Sequence, residues 1–396
     1  RFVSLQQQLD DRRQLPSFVP IAPLNADVDV DPPLKRPAGL HFESGLGGFS
    51  PNGREYIIYL EKDQWSPGAW TNVIANPQFG FLASEAGMGC TWAINSSKNR
   101  LTSWRNDPAS DPPSEAIYLR DEDTGQIWSP TPLPARADAP YLIRHGIGYT
   151  VFEHYSHHLN QNLTIFVVPH APVKIAQLKL KSTSSRLRRI NITYYAEWVL
   201  GTTHENTAQY IVPEFASRNF ALLASNPYNR DFNKRVAFLA ATREIQGLTT
   251  DRTEFLGIPG SYVQPAALKR IGLSPRVETG SDPCAAIQLL LWLAPGETKE
   301  VTFLLGQGAD RADALNLINQ YVDLPKIHTE WKSLNHFWDE RIGNTQITTP
   351  DTAKDLLMNR WLLYGSLSCN MLSEPEQAET YRRQVDVLRS VFEEKG

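Results

Sequence analysis

Hydrophobic and polar positions along this chain repeat with two different periods, and the change from one to the other divides it. From Arg54 to Leu305 the pattern is that of strands: short runs rich in Val, Ile, Leu, Tyr and Phe, separated by Gly, Pro, Asn and Asp. Arg54-Glu-Tyr-Ile-Ile-Tyr-Leu60 is the first strong run, after a Gly-rich turn. Residues 79–85 and 90–94 alternate as half-buried strands do, with a turn at Gly87-Met-Gly89 between them. Strand signals recur at 116–120, 126–128, 148–155, 159–168, 173–181, 187–197, 220–224, 236–241, 285–293 and 300–305. Leu293-Ala-Pro-Gly-Glu-Thr-Lys-Glu-Val301 reads as a hairpin-type link late in that series. So many short strands joined by turn chemistry predict a mainly β fold, an unusually large antiparallel β-sandwich.

After Gly308 the period becomes helical. Residues 309–322 place Ala312, Leu315, Ile318 and Tyr321 on one face, and 327–342 continue with Trp331, Leu334, Phe337, Trp338 and Ile342. Pro350-Asp-Thr-Ala opens a third helix in which Leu356, Leu357, Trp361, Leu363, Tyr364 and Leu367 give an almost all-round apolar surface, the kind buried in a helical barrel. Ser373-Glu-Pro-Glu then carries an N-cap serine, a first-turn proline and early acidic residues, predicting a last amphipathic helix to Lys395. At the other end a polar stretch leads into a Pro-rich run, 16–37, that cannot form a regular element. The predicted organisation is an extended lead-in at 1–37, a β-sandwich domain at 38–306, helices at 307–345 and a further helical segment at 346–396.

Composition changes this picture in three ways. A formal net charge of -4 over 396 residues provides no basic field, which argues against nucleic acid or an anionic membrane surface as the main partner. Cys90, Cys284 and Cys369 are odd in number and scattered through apolar patterns, as free thiols in a reducing, cytoplasmic compartment are. No run of about 18 apolar residues is present, so no helix is expected to span a bilayer. Asn95-Ser-Ser, Asn162-Leu-Thr and Asn191-Ile-Thr fit the glycosylation sequon, but nothing else points to secretion. The chain begins at Arg1 without a Met or a signal core and reads as a piece of a longer protein.

The candidate chemistry lies in the loop from Asn95 to Pro113. Asn95, Arg100, Trp104, Arg105, Asn106 and Asp107 set planar polar groups beside an indole. A pyranose ring offers hydroxyl pairs to such groups and a C–H face to the indole, so these six are the candidate oligosaccharide-binding residues. The competing reading is a structural loop that uses the same groups to bond itself. Glu153, His154, His157 and His158 raise the question of a metal, but strand neighbours at odd separations face opposite sides, so His154 and His157 do not converge and no metal is expected. Glu197 and His145 read as buried polar anchors. Gly45, Gly47 and Gly48 lack the Lys-Ser/Thr and the following helix of a phosphate-cradling loop.

Several stretches carry a family resemblance: Gly45-Leu-Gly-Gly-Phe-Ser-Pro-Asn-Gly-Arg-Glu-Tyr56, Trp70-Thr-Asn-Val-Ile-Ala-Asn76, the loop above, Arg144-His-Gly-Ile-Gly-Tyr-Thr-Val-Phe-Glu153, Tyr194-Tyr-Ala-Glu-Trp-Val-Leu200 and Asn359-Arg-Trp-Leu-Leu-Tyr364. Through them nearly the whole chain resembles the amino-terminal module of the cellobiose and chitobiose phosphorylase family, and most of all the corresponding carboxy-terminal region of cyclic β-1,2-glucan synthases. The resemblance implies a mutarotase-like super-sandwich, linker helices and remnant helices of an (α/α)₆ barrel. It implies inverting phosphorolysis of a β-glucan, in which one carboxylic acid protonates the glycosidic oxygen while inorganic phosphate, a co-substrate rather than a cofactor, attacks the anomeric carbon. It also implies a homodimer formed through the sandwich, with residues 95–111 set beside the partner's active site, and a parent anchored in the inner membrane with this portion in the cytoplasm.

The Asp-Trp-Asn-Asp-type motif of the family's catalytic acid does not occur in this sequence, nor does the Tyr-Gly-Phe-Arg-Asp-type phosphate and donor-sugar stretch, nor the His and Thr-Gly downstream of it. Trp338-Asp-Glu340 and Trp104-Arg-Asn-Asp107 are only faintly similar, and no catalytic residue is assigned. Segments like 359–368 and 374–396 stand far apart in the family, and here only residues 369–373 separate them. The expected function is therefore part of a glycosyltransferase or inverting glycoside phosphorylase, with a catalytically silent carbohydrate-binding or oligomerisation module as the alternative. A sugar-ring epimerase would need a converging His and Glu pair that the spacing does not demand.

Overall fold

The computed structural model describes residues 15–21, 34–105, 107, 110–280, 282–343 and 346–372. The amino-terminal stretch before Leu15, Asn106 and the helix expected after Ser373 lie outside them.

Two antiparallel sheets make the body. The first, of ten strands among the described residues, runs in space β1 (Gly47–Phe49), β2 (Glu55–Leu60), β9 (Tyr141–Gly146), β10 (Tyr149–Ser156), β11 (Leu159–Val167), β12 (Val173–Ser182), β19 (Thr298–Gly308), β16 (Val236–Ala241), β15 (Ala221–Ser225), β14 (Val212–Ala216). The second, of nine, runs β17 (Gly247–Asp251), β18 (Pro283–Leu293), β13 (Arg188–Gly201), β6 (Arg100–Thr102), β5 (Met88–Ala93), β4 (Phe79–Ala83), β3 (Asn72–Asn76). To it are added β7 (Glu115–Asp121), paired with β13 and β5, and β8 (Ile127–Trp128), paired with β7.

Period-two alternation decides which side chains meet. On β12, Ala176, Leu178 and Leu180 face the other sheet, while Val173 and Ile175 face outward. Those outward residues are covered by the helices Arg311–Tyr321 and Leu324–Ile342, whose Ile318, Leu334, Phe337 and Trp338 pack on Phe166, Phe238 and Leu304. Each such fully buried side chain contributes about 1.5–3 kcal/mol, which is why the linker helices lie on the sheet rather than in solvent. Asp310 caps the first of them by accepting from Asp313 N at 2.9 Å.

Three expectations change. The 294–297 link is not a hairpin: β18 pairs with β13 and β17 while β19 pairs with β12 and β16, so the Pro-Gly turn carries the chain from one sheet to the other. Turn chemistry specifies a tight reversal but not which strands pair across it. β4 and β5 are not half-exposed, because their outer face is covered in turn: Ala75, Cys90 and Trp92 pack with Val73, Leu82 and Met371. The covering element is the helix Thr352–Leu356, its π-type turn Leu357–Trp361 and its continuation Leu362–Leu372. That helix buries Tyr364 and Ser368 yet leaves Leu357, Met358, Leu362 and Leu363 exposed, so it is amphipathic in place rather than buried all round.

The histidine-rich stretch is a hairpin corner. Ser156 pairs with Leu159, and His157 and His158 between them both have positive φ, as twisted two-residue hairpin turns do. His157 stacks on Trp128 at 3.9 Å and His154 on Tyr141 at 3.8 Å, with His154 Nδ1 2.9 Å from Pro140 O. Among the described residues no helix is long and apolar enough to cross a membrane.

Candidate functional site

The chain leaves the second sheet at Ser103, rises over β4 and β5, and returns at Ser114, whose Oγ donates to Gly89 O at 2.8 Å and pins the loop to β5. Asp107 accepts from Ser110 N at 3.3 Å and Ser110 Oγ at 2.6 Å, which tightens the crest. Asp111, with positive φ, accepts from Ser84 Oγ and ties the descending limb to the end of β4. Below the loop is a cavity of about 250 Å³ lined by Trp104, Arg105, Asp107, Asp111, Leu82 and Cys90.

Trp104 stands at its rim, 38% exposed. The Arg100 guanidinium lies 5.0 Å over its ring and is itself held by Ser96 O at 2.9 Å and Thr202 O at 3.0 Å. The indole is thus propped from behind while its edge stays open. Arg105 is held from the other side: its Nη2 is 3.3 Å from both oxygens of Glu197 and 3.1 Å from the Tyr262 hydroxyl. Glu197 is 2% exposed and accepts also from Arg252 Nε at 3.0 Å and Tyr262 OH at 2.7 Å. Arg252 continues to Asp282 at 2.9 Å, and Asp282 meets His204 Nε2 at 2.8 Å. Burial alone would raise the Glu197 carboxyl, but Tyr262, Arg252 and Arg105 outweigh it and hold the group below the usual range.

The cavity shares Ala69 and Asp111 with a neighbouring recess of about 410 Å³, which Trp65, Ser66, Ser110 and Glu85 also line. Glu85 accepts from Ser66 Oγ, and from Trp70 N at 2.6 Å. Burial pushes both Glu85 and Asp111 up from the ordinary carboxyl value, with neighbouring negative charge adding to it: Asp111 beside Glu85, and Asp107 beside Asp111. Burial likewise raises the Cys90 thiol in the cavity floor to about 12, so it stays protonated and unreactive.

Of the six candidate residues, Trp104, Arg105 and Asp107 line the cavity. Arg100 sits behind Trp104 and outside the lining. Asn95 is outside it too: its Oδ1 accepts from Ser97 N at 2.9 Å and Lys98 N at 2.8 Å, an Asx turn that shapes the loop. Asn106 falls outside the described residues. Sequence reasoning missed Glu85 and Trp65. Glu85 follows a strand with no partner in its own neighbourhood, and the Ser66 and Trp70 that bind it lie 19 and 15 residues away. Among the described residues no three His, Cys, Asp or Glu side chains group closely enough to hold a metal ion. The arrangement offers an indole face, a fixed guanidinium and two carboxyls that burial raises above their ordinary pKa, a surface for a hydroxylated ligand.

Known proteins resemble this chain over most of its length. The chain is 33% identical over 356 residues to cyclic beta-(1,2)-glucan synthase NdvB of Rhizobium meliloti (strain 1021), covering 89% of this chain and 12% of that protein. It is 26% identical over 330 residues to N,N'-diacetylchitobiose phosphorylase of Vibrio proteolyticus, covering 82% of this chain and 41% of the phosphorylase. It is 24% identical over 340 residues to solabiose phosphorylase of Paenibacillus borealis, covering 82% of this chain and 43% of that enzyme. The chain therefore spans less than half the length of each. The sequence profile of the glycosyl hydrolase 94 supersandwich domain matches residues 54–324, from β2 through both sheets to the first linker helix, and with most of its length inside that match the chain belongs to this family.

Proposed function

We propose that this chain is the sandwich module of a glycosyltransferase or inverting glycoside phosphorylase acting on β-glucan, and that the Trp104 groove holds the glucan. The observation that carries the proposal is the exposed indole of Trp104 beside Arg105 and Asp107 over one cavity. The identity to the glucan synthase favours a β-1,2-linked ligand. In this reading the acid that protonates the glycosidic oxygen, and the residues that hold the phosphate co-substrate, are supplied by protein outside these 396 residues. The module itself uses no metal or cofactor. Residues 95–111 are also the surface through which two copies would meet, and the module works on the cytoplasmic side of the inner membrane.

Calorimetric titration of the chain with β-1,2- and β-1,4-linked gluco-oligosaccharides tests this. Saturable binding is expected, weakened about five-fold or more by Trp104→Ala, the loss of roughly 1 kcal/mol of ring contact. Release of glucose 1-phosphate from these oligosaccharides and inorganic phosphate is expected to be absent with the chain alone. Binding that ignores Trp104→Ala would refute the groove assignment, and phosphorolysis by the isolated chain would place the acid within it.

A further inference from the structure

A second cavity, of about 430 Å³, lies where the helix Leu362–Leu372 and its preceding π-type turn meet the sandwich edge. Its wall is a run of aromatic rings: Trp361 to Phe49 at 5.4 Å, Phe49 to Tyr56 at 5.0 Å, and Tyr56 to Trp70 at 5.9 Å between centroids. The π-type turn Leu357–Trp361 sets Trp361 into this wall, where its Nε1 donates to Gly53 O at 3.0 Å. Such turns break helix regularity and recur at functional sites.

Two features are unexplained by packing. Gly365 lines the cavity from the helix, yet a Cβ there would meet nothing within 4 Å. Glycine in a helix costs about 1 kcal/mol against alanine, and here no neighbour demands it. Its effect is to leave the cavity open. Ser368 lines the same cavity at 1% exposure, and among the described residues its Oγ has only the Tyr364 hydroxyl beside it, which is itself engaged 2.8 Å from Asn72 Oδ1 and 2.7 Å from Val73 O. The lone pairs of that buried hydroxyl lack a donor, a shortfall that a ligand hydroxyl makes good and an apolar ligand does not.

Among the described residues the lining contains no Asp, Glu, Lys or Arg. Its one ionisable base, His145, has Nε2 3.0 Å from Trp70 O and Nδ1 3.0 Å from Thr150 Oγ1, and burial lowers it to about 4, so it is uncharged at neutral pH. The occupant is therefore uncharged, offers an apolar face to the rings, and carries a hydroxyl for Ser368. A pyranose ring meets all three requirements. Phosphate, a sugar phosphate and a uronic acid fail the first. The groove at Trp104, with Arg105, Asp107 and Asp111 in its lining, is of the opposite character.

We infer that this aromatic pocket is a second glycan site, which takes a terminal glucosyl unit of the neutral β-glucan bound by the module. The identity of the glucan rests on the function proposed above, whereas the choice of an uncharged pyranose rests on the pocket alone. The two sites give the sandwich two separate holds on the ligand.

Gly365→Leu is the test. Leucine fills open space and is a better helix former, so the variant is expected to melt at or above the temperature of the unsubstituted chain, which shows that it folds. Calorimetric titration with a β-1,2-linked gluco-oligosaccharide is expected to give two sites per chain, one lost in Gly365→Leu, the other weakened at least five-fold in Trp104→Ala, and neither retained in the double variant. Glucose 1-phosphate is expected to show no binding sensitive to Gly365→Leu. Unchanged stoichiometry and affinity in a folded Gly365→Leu variant would overturn the pocket and leave the groove standing. A single site lost in Gly365→Leu and indifferent to Trp104→Ala would keep the pocket and sink the groove. No binding by the unsubstituted chain would sink both.

Discussion

Glu115 and Glu197 are both buried carboxylates held by cations and a tyrosine, on the same sheet, yet they do different work. Glu115, on β7, accepts from Lys174 Nζ, Thr91 Oγ1, Tyr194 OH and Thr102 Oγ1, with Lys174 reaching across from β12 of the opposite sheet. Lys174 completes its set with Thr91 Oγ1 at 2.8 Å and the Phe81 ring at 4.9 Å, and no member sees solvent. Burial draws the Lys174 ammonium below its usual pKa, and Glu115 opposes that. Glu197 is as buried as Glu115, but the side chain of its partner Arg105 is 41% exposed and lines the groove. A pair closed on itself inside the sandwich fixes how two sheets meet. A pair with one cation half in water holds that cation where a ligand can reach it.

The largest effect is expected from breaking the closed pair. Lys174→Met leaves a carboxylate in the dry core without its cation and is expected to cost about 3–5 kcal/mol in denaturant unfolding. Adding Glu115→Gln removes the orphaned charge while keeping an acceptor for the two threonines and Tyr194, and most of the loss is expected to return. A single-variant cost below about 1 kcal/mol would mean that water reaches the pair and would erase the contrast with Glu197.

Glu197→Gln sharpens the contrast from the other side. It keeps the shape but weakens the bonds to Arg105, Arg252 and Tyr262, with an expected loss of about 1–3 kcal/mol in the same unfolding measurement and weaker oligosaccharide binding. Arg105→Ala is expected to cost under about 1 kcal/mol of stability, because its charge is largely screened, while weakening binding about as much. Equal binding by all three proteins would mean that Arg105 faces the groove without serving it.

The open network also carries a pH dependence, through His204, Glu197 and Asp282. The hydrogen bond to Asp282 raises the His204 pKa above its ordinary value, against the opposing effect of burial. That contribution is full below the ordinary histidine pKa and is lost as pH rises through the raised folded value. For Glu197 and Asp282 burial acts upward but is outweighed, by Tyr262 and Arg252 at the first and by His204 and Arg252 at the second, so both fall below the usual carboxyl range. Their contribution is present above that range and lost as pH falls through the lowered values. Thermal melts across pH are expected to decline on the alkaline side of the ordinary histidine pKa, and His204→Gln is expected to flatten that decline. An unchanged slope would remove His204 from the network.

What the sequence made legible follows the same division between local and distant. The long strands β10 to β13, β18 and β19 are runs of apolar alternation, and each is visible from its own residues. The sites of β1, β3, β9, β14 and β17 are not: Gly47–Phe49 is three residues with two glycines, and Val212–Ala216 contains a proline, tolerated because it lies at the sheet edge. The Trp104 loop stands out from its own residues, since an indole between two arginines needs no partner to be noticed. That Asn95 closes a turn and Arg100 backs an indole depends on Ser97, Lys98 and Thr202, and only the first two are near in sequence. Glu197 was legible as a buried anchor, but its partners Arg252, Tyr262 and Arg105 lie 55, 65 and 92 residues away. The aromatic pocket joins residues about 300 positions apart, such as Gly53 and Trp361, and no local pattern could have assembled it.

The smallest effect on stability, and the most specific one on function, is expected at Trp104. Its ring is propped by Arg100 and partly exposed, so Trp104→Ala removes one surface cation–π contact worth about 0.5–1 kcal/mol and leaves no cavity. Trp92, on the strand that floors the same region, differs in one respect: it is buried against Gly80, where even a Cβ would lie 2.4 Å from its ring. Trp92→Ala is expected to cost about 3–5 kcal/mol through the void it leaves. The two substitutions delete the same side chain at positions 12 residues apart, one in a strand and one in the loop that leaves the sheet. If Trp104→Ala lowers oligosaccharide affinity five-fold while its melting temperature stays within a few degrees of the unsubstituted chain, the indole is there for a ligand. If instead it destabilises the fold as Trp92→Ala does, the ring belongs to the packing of the loop, and the groove loses the feature that makes it a sugar site.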